Sequence, residues 1–223
     1  MFDTYTAEYF ELRNATRNTR AYINDIKFIR KCLKTTNVQA STAIDYGCGE
    51  MLFTKYLQGV FAKVFVYDAS EHIQEMEEYK MRQFTANVSC SPLDSPLLVL
   101  RGLLQHLPEP YTTLKDIAKT NTPNLIFFLS VPNSRSIYYL LNETLPCLDP
   151  DNNYYIPSPR MLEGLMRRVG YELVAQDFPY LRSGYAKPGL DHARFLINLT
   201  GMRRCSGPYP FWGSMFNACY KRL

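Results

Sequence analysis

The chain has 223 residues, enough to bury a substantial core as one α/β unit. Its apolar share of 46% excludes disorder, and its formal charge of +4, spread apart from pairs such as Arg167-Arg168 and Arg203-Arg204, demands no nucleic acid. Six widely spaced cysteines without a Cys-x-x-Cys pair, and apolar runs no longer than Leu125 to Leu129, lead us to expect a soluble cytoplasmic protein with reduced thiols and no membrane partner. The opening Met-Phe-Asp-Thr-Tyr-Thr-Ala-Glu has no basic-then-apolar signal pattern.

Residues 1–40 read as an N-terminal helical extension. Tyr22, Ile26, Ile29 and Leu33 fall on one stripe, which should pack against a face of the sheet. Ahead of it, Tyr5, Tyr9 and Phe10 read either as anchors of that helix or as a cover over a ligand. From residue 42 the order becomes strand (Thr42–Asp45), helix (Met51–Gln58), strand (Lys63–Asp68), helix (Glu71–Tyr79). Such alternation implies a parallel sheet with right-handed crossovers.

A weak strand near Phe84–Val88 precedes a clearer one at Pro96–Leu100, then a helix at Tyr111–Lys119 and the most strand-like run of all, Asn124–Val131, stopped by Pro132-Asn133. Ser158-Pro159 supplies an N-cap and a proline for the first helical position, and Gly170 closes that helix. Tyr171–Phe178 and Trp212–Tyr220 are the last two strands. Residues 41–223 thus form the main domain, with irregular segments at 134–157 and 179–210 as candidate substrate lids.

The richest signal is Thr42 to Leu57, a short apolar strand ending on Asp45, a glycine turn, then an apolar-periodic helix. Gly47 and Gly49 permit a turn that brings backbone against a ligand, and a helix starting near Glu50 would present unpaired N–H groups there. Asp68 ends the next strand about 20 residues later, where a carboxylate can accept both ribose hydroxyls of an adenosine-bearing cofactor.

With Asp45-Tyr46-Gly47-Cys48-Gly49 followed by Asp68, the chain resembles the class I S-adenosylmethionine-dependent methyltransferases, whose first motif is an acid, any residue, then Gly-Cys-Gly. Leu100 to Pro110, with His106-Leu107-Pro108, looks like the family's fourth-strand exit, and Pro210 to Arg222 like its antiparallel terminal strand. The resemblance implies a Rossmann-like seven-stranded, mostly parallel sheet with an antiparallel last strand and helices on both faces. It also implies S-adenosyl-L-methionine at the carboxyl ends of the first strands. Gly47, Cys48 and Gly49 would approach its methionine part, Asp45 would support the turn and the ammonium, and Asp68 would hold the ribose. Ala69, Arg101 and Gln105 are the further cofactor contacts expected. Two departures stand out: Met51 occupies a position often held by glycine or a small residue, and Asn87 replaces the third-strand acid that usually meets adenine.

Methyl transfer needs little covalent work from side chains, because holding the acceptor in line at near-attack distance supplies much of the rate. A hydroxyl acceptor would gain from a base, and His106 is the candidate, its rival role being a structural cap of the loop before Pro108. For a small-molecule acceptor the candidates are Tyr180, Arg182, Tyr185, His192 and Arg194, where arginines would suit a phosphate or carboxylate. A nicotinamide enzyme would need glycine where Leu52 stands. A scaffold that binds the cofactor without catalysis is the other alternative. No metal is expected, since Asp149-Pro150-Asp151-Asn152 has Tyr154 where a calcium loop needs glycine.

Overall fold

Continuous apolar runs are what strands covered on both faces require, and three of them form the centre of the sheet. In a computed structural model, which describes residues 19–83, 97–118, 125–136, 139–140, 156–179 and 213–223, they are β1 (Thr42–Tyr46), β3 (Leu97–Arg101) and β4 (Ile126–Pro132). The flanking strands are β2 (Lys63–Tyr67), β5 (Tyr171–Asp177) and β6 (Met215–Arg222). Their spatial order is β2-β1-β3-β4-β6-β5. The first four are parallel, and β6 runs antiparallel to both β4 and β5.

Helices cover both faces. On one side α1 (Thr19–Thr36) and α2 (Leu52–Gln58) bury Ile26, Phe28, Ile29, Cys32, Phe53 and Leu57 against Ala43, Val99, Phe128 and Cys219. On the other, α5 (Pro110–Ala118) and α6 (Pro159–Arg168) place Leu114, Leu162 and Met166 against Ile44, Leu100, Phe127, Leu129 and Tyr220. The signals at the ends of α6 act as expected: Ser158 Oγ accepts from Met161 N at 3.2 Å, and Gly170 takes φ +89°.

Two expectations change. The helix expected over Glu71–Tyr79 is two short ones, α3 (Glu71–Gln74) and α4 (Glu77–Lys80), because Met76 between them is extended at φ −67°, ψ 132°. Met76 packs beside Cys48, Met51, Val66, Ile73 and Tyr79, and the break lets the Tyr79 hydroxyl accept from Asp68 N at 3.2 Å. Six strands, rather than seven, are present among the described residues. The strand expected near Phe84–Val88 lies outside them, while Gln83 makes a parallel bridge to Val66 at the open edge of β2.

Candidate cofactor site

After β1 the chain leaves on one side to form β2, and later returns on the other side as β3. Crevices at the carboxyl ends of strands that diverge in this way are where open α/β sheets bind ligands. The glycine turn, Asp68 and the β3 exit all lie at this edge.

The turn is built from backbone that side chains tolerate poorly. Gly47 takes φ +79° and Gly49 φ +50°. A Cβ at Gly47 would stand 2.8 Å from Leu103 Cδ1, so the glycine also lets the β3 exit loop close onto the turn. Met51 takes φ +56° as well, which explains why glycine suits that position; here the strain is offset by complete burial of the thioether side chain. The helix expected to start near Glu50 starts slightly later. The helix begins at Leu52, and the loop uses its own N–H groups: Gly47 N and Cys48 N donate to Tyr67 O at 2.7 and 3.2 Å, and Met51 N donates to Cys48 O at 3.0 Å.

The two acids differ in setting. Asp68, half-buried, accepts from Gly49 N at 2.8 Å through Oδ2 and from Ser70 N at 2.9 Å through Oδ1, which stitches β2's exit to the glycine turn. The acceptor sites that the backbone amides leave on this carboxylate can take a hydroxyl. Burial raises its pKa, against the lowering effect of these amide donors. Asp45 is fully buried and accepts from Thr54 Oγ1 of α2 at 2.7 Å. Burial pushes its pKa up to about 6, opposed by the Thr54 hydrogen bond and the positive charge of Arg101 and reinforced by Asp68. Desolvation likewise raises the Cys48 thiol, so it is no thiolate nucleophile at neutral pH.

At the β3 exit, Gly102 has φ +65° and the chain turns through a 3₁₀ segment, Leu104–His106. Gln105 Nε2 donates to Gly102 O at 2.9 Å and lies 3.3 Å from His106 Nε2; Gln105 Oε1 is buried with no partner among the described residues. Arg101, the last residue of β3, forms an ion pair through Nε with Asp25 of α1 at 2.8 Å.

Asp45, Gly47, Cys48, Gly49, Asp68, Ala69, Arg101, Gln105 and His106 thus converge on one edge, whereas Asn87, Tyr180, Arg182, Tyr185, His192 and Arg194 lie outside the described residues. Asp25, Thr54, Tyr79, Ser130 and Asn217 are the participants that sequence reasoning missed. A second periodic set on α1, Ala21, Asp25, Phe28 and Cys32, was the available signal for Asp25. Among the described residues there is no cluster of metal-ligating side chains, and no helix is long and apolar enough to cross a membrane.

Sheet order, glycine turn and paired acids define an open α/β protein with a candidate ligand site at its switch point. A family model described as a methyltransferase domain matches residues 15–176, well over half of the chain. The chain belongs to the class I S-adenosylmethionine-dependent methyltransferases, and its cofactor is S-adenosyl-L-methionine. A similar solved structure is an S-adenosylmethionine-dependent methyltransferase from Archaeoglobus fulgidus, with TM-score 0.61, 16% identity, and 96% of this chain and 99% of that one covered. Others are a plantazolicin methyltransferase in complex with a triazolic desmethyl analogue and S-adenosylhomocysteine (TM-score 0.57, 12% identity, 96% and 89% covered) and a possible histamine N-methyltransferase from Thermotoga maritima (0.56, 16%, 91% and 89%). At these identities the likeness is one of fold. No curated protein matches the chain.

The residues present suit the cofactor's charges. Asp45 and Asp68 form no ion pair among the described residues, and Arg101 reaches Asp45 only through its longer-range charge, so a sulfonium or an ammonium would add a countercharge that these carboxyl groups lack at contact distance.

Proposed function

We propose that the protein transfers the methyl group of S-adenosylmethionine to a small-molecule acceptor. The observation that carries this reading is the Asp68 carboxylate, tied to the Gly49 and Ser70 amides at the β1/β2 edge with lone pairs left for a ribose. Gly47, Cys48 and Gly49 would lie along the methionine part, Asp45 behind them, and Ala69 and Gln105 at the rim. When bound, the cofactor supplies an electrophilic methyl on a positively charged sulfur. The chain's own task is then to align an acceptor and exclude water.

His106 is our candidate base. A Gln105 N–H donated to His106 Nε2 would place the ring proton on Nδ1 and hold the basic nitrogen at the β3 exit, so that taking a proton requires this 3.3 Å contact to give way to the acceptor's hydroxyl. The same Gln105 amide is fixed by Gly102 O, so the base would be held by the turn that ends β3.

A small acceptor is supported by chemistry at the edge, where the described groups include the Asp45 and Asp68 carboxyls, the Gln105 amide, the His106 imidazole and the Arg101 guanidinium rather than a basic track. Two fold neighbours bear descriptions that involve non-nucleic-acid ligands, a triazolic analogue and histamine. We assign Tyr180, Arg182, Tyr185, His192 and Arg194 to acceptor recognition, the segments 134–157 and 179–210 to lids, and Asn87 to the adenine. The bridge at Gln83 supports a seventh strand outside β2. The chain would act in the cytoplasm.

The test is a metabolite-extract screen with labelled methyl donor. Labelling of a low-mass product that His106→Ala reduces about 100-fold, with donor affinity retained, supports the assignment. Donor binding with no labelled product from any extract would favour the non-catalytic scaffold instead.

A further inference from the structure

At the outer edge of β2, Val66 N donates to Arg82 O at 3.0 Å, beside the parallel bridge from Val66 to Gln83. Residues two apart on a strand send their main-chain groups to the same side, so Asp68 turns its N–H and C=O over this edge too. Tyr67 between them faces the other way and is taken by the glycine turn, its carbonyl accepting from Gly47 N at 2.7 Å. What Asp68 meets at the outer edge is a side chain: the Tyr79 hydroxyl of α4 accepts from Asp68 N at 3.2 Å and donates to Asp68 O at 3.3 Å. Gln74 Nε2 of α3 adds a second donor to that carbonyl at 2.9 Å.

A phenol hydroxyl both donates and accepts, so one atom serves the two main-chain groups that a neighbouring strand would serve. Phenylalanine would fill the same space and serve neither. Tyr79 is 1% exposed and packs in one cluster with Met51 of the glycine turn, Val66 and Ile73, which fixes where its hydroxyl stands. The main chain of Asp68 is thereby held from the α4 side while its carboxylate accepts from Gly49 N and Ser70 N. A carboxylate grips a pair of hydroxyls best when its direction is set before the ligand arrives, and that direction follows from the backbone that carries it.

We propose that Tyr79 is a positioning residue for the cofactor's ribose: its hydroxyl takes the place of a strand partner on Asp68 and sets the direction of the carboxylate that receives the ribose hydroxyls. This rests on the reading of the edge as the cofactor site. The ring of Tyr79 belongs to the core and its hydroxyl to the site, and Tyr79→Phe separates the two.

Titration calorimetry of the full chain tests it with two probes, S-adenosylhomocysteine and its 2′,3′-dideoxy analogue, which lacks both ribose hydroxyls. The wild type should bind the first about 10- to 100-fold more tightly. Tyr79→Phe should weaken the first about 5- to 10-fold and leave the second within about twofold, so that the discrimination narrows. A merely structural hydroxyl would weaken both alike, and that result, or an unchanged discrimination, would overturn the proposal. Hydrogen exchange of the wild type extends the test without any variant to fold. The Asp68 amide should exchange at least about 100-fold more slowly than in an unstructured chain, and exchange at the unstructured rate would overturn the proposal as well. Equal binding of both probes by the wild type, or no binding of either, would make the cofactor-site reading fail first, and the proposal would fall with it.

Discussion

The two faces of the sheet use alternate residues of the same strands, yet only one of them turns polar at the carboxyl edge. On the α5/α6 face, Leu98 and Leu100, Phe127, Leu129 and Val131, and Phe216, Ala218 and Tyr220 stay apolar or aromatic along the strands. That face ends on the stacked Tyr46–Tyr67 pair, centroids 4.4 Å apart. On the α1/α2 face, Ala43, Val99 and Phe128 give way one step later to Asp45, Arg101 and Ser130, with Asn217 in register beside Ser130. One face stabilises; the other gives up dry packing so that charge can be held where a ligand arrives.

The largest expected effect breaks the stabilising face alone. Phe127 is fully buried and meets Tyr171 edge-on at 4.7 Å, so Phe127→Ala should cost about 3–5 kcal/mol in denaturant unfolding. Cofactor affinity of the folded fraction should stay within about twofold. A parallel collapse of affinity would show that the faces are not separable.

On the polar face, Asp45 links stability to pH. Its folded pKa of about 6 lies above its unfolded value near 3.8, so its contribution is full below about pH 4 and is lost as pH rises through 6. A rise of this size in a buried carboxyl corresponds to roughly 3 kcal/mol. Relative to wild type, Asp45→Asn should therefore gain stability by about that amount between pH 4 and pH 7, measured by denaturation without cofactor. A constant difference across this range would mean that Asp45 ionises as an ordinary surface carboxylate. The cofactor should reverse the penalty, because a nearby cation favours the charged form, and its affinity should rise with pH up to about 6.

Asp68→Ala tests the other acid. Loss of the ribose acceptor and of the Gly49 and Ser70 anchors should weaken S-adenosylhomocysteine by about 30- to 100-fold in calorimetry, with global stability changed by about 1 kcal/mol. Unchanged affinity would remove Asp68 from the site.

What the sequence made legible follows the range of the interactions. Caps and turns are local: Ser158 and Gly170 act within a few residues of themselves and end α6 as expected, and Gly47 and Gly49 take the positive φ that their turn needs. Strand runs are read from composition, and their ends move by one to a few residues, as at Ile126–Pro132. Asp25 was hidden because its two partners stand 76 and 192 positions away, so no window along α1 reveals why an acid is buried there. The division of α3 from α4 was hidden because it goes with Met76 packing against Cys48 and Met51 of the glycine turn, more than 20 positions earlier, and with no breaker residue of its own.

The smallest effect isolates the strain that the polar edge carries without a ligand. Ser130 Oγ and Asn217 Oδ1 are buried neighbours across β4 and β6, each without a hydrogen-bond partner among the described residues. A hydroxyl left unpaired in a dry interior is destabilising, so its removal releases that cost while losing little packing volume. Ser130→Ala should thus be neutral or stabilising by up to about 1 kcal/mol. Phe128, two residues earlier on the same face, gives the contrast: its truncation should cost about 3–5 kcal/mol. If Ser130→Ala instead destabilises by more than about 1 kcal/mol, the hydroxyl is satisfied in solution by bound water, and the edge is wet rather than strained.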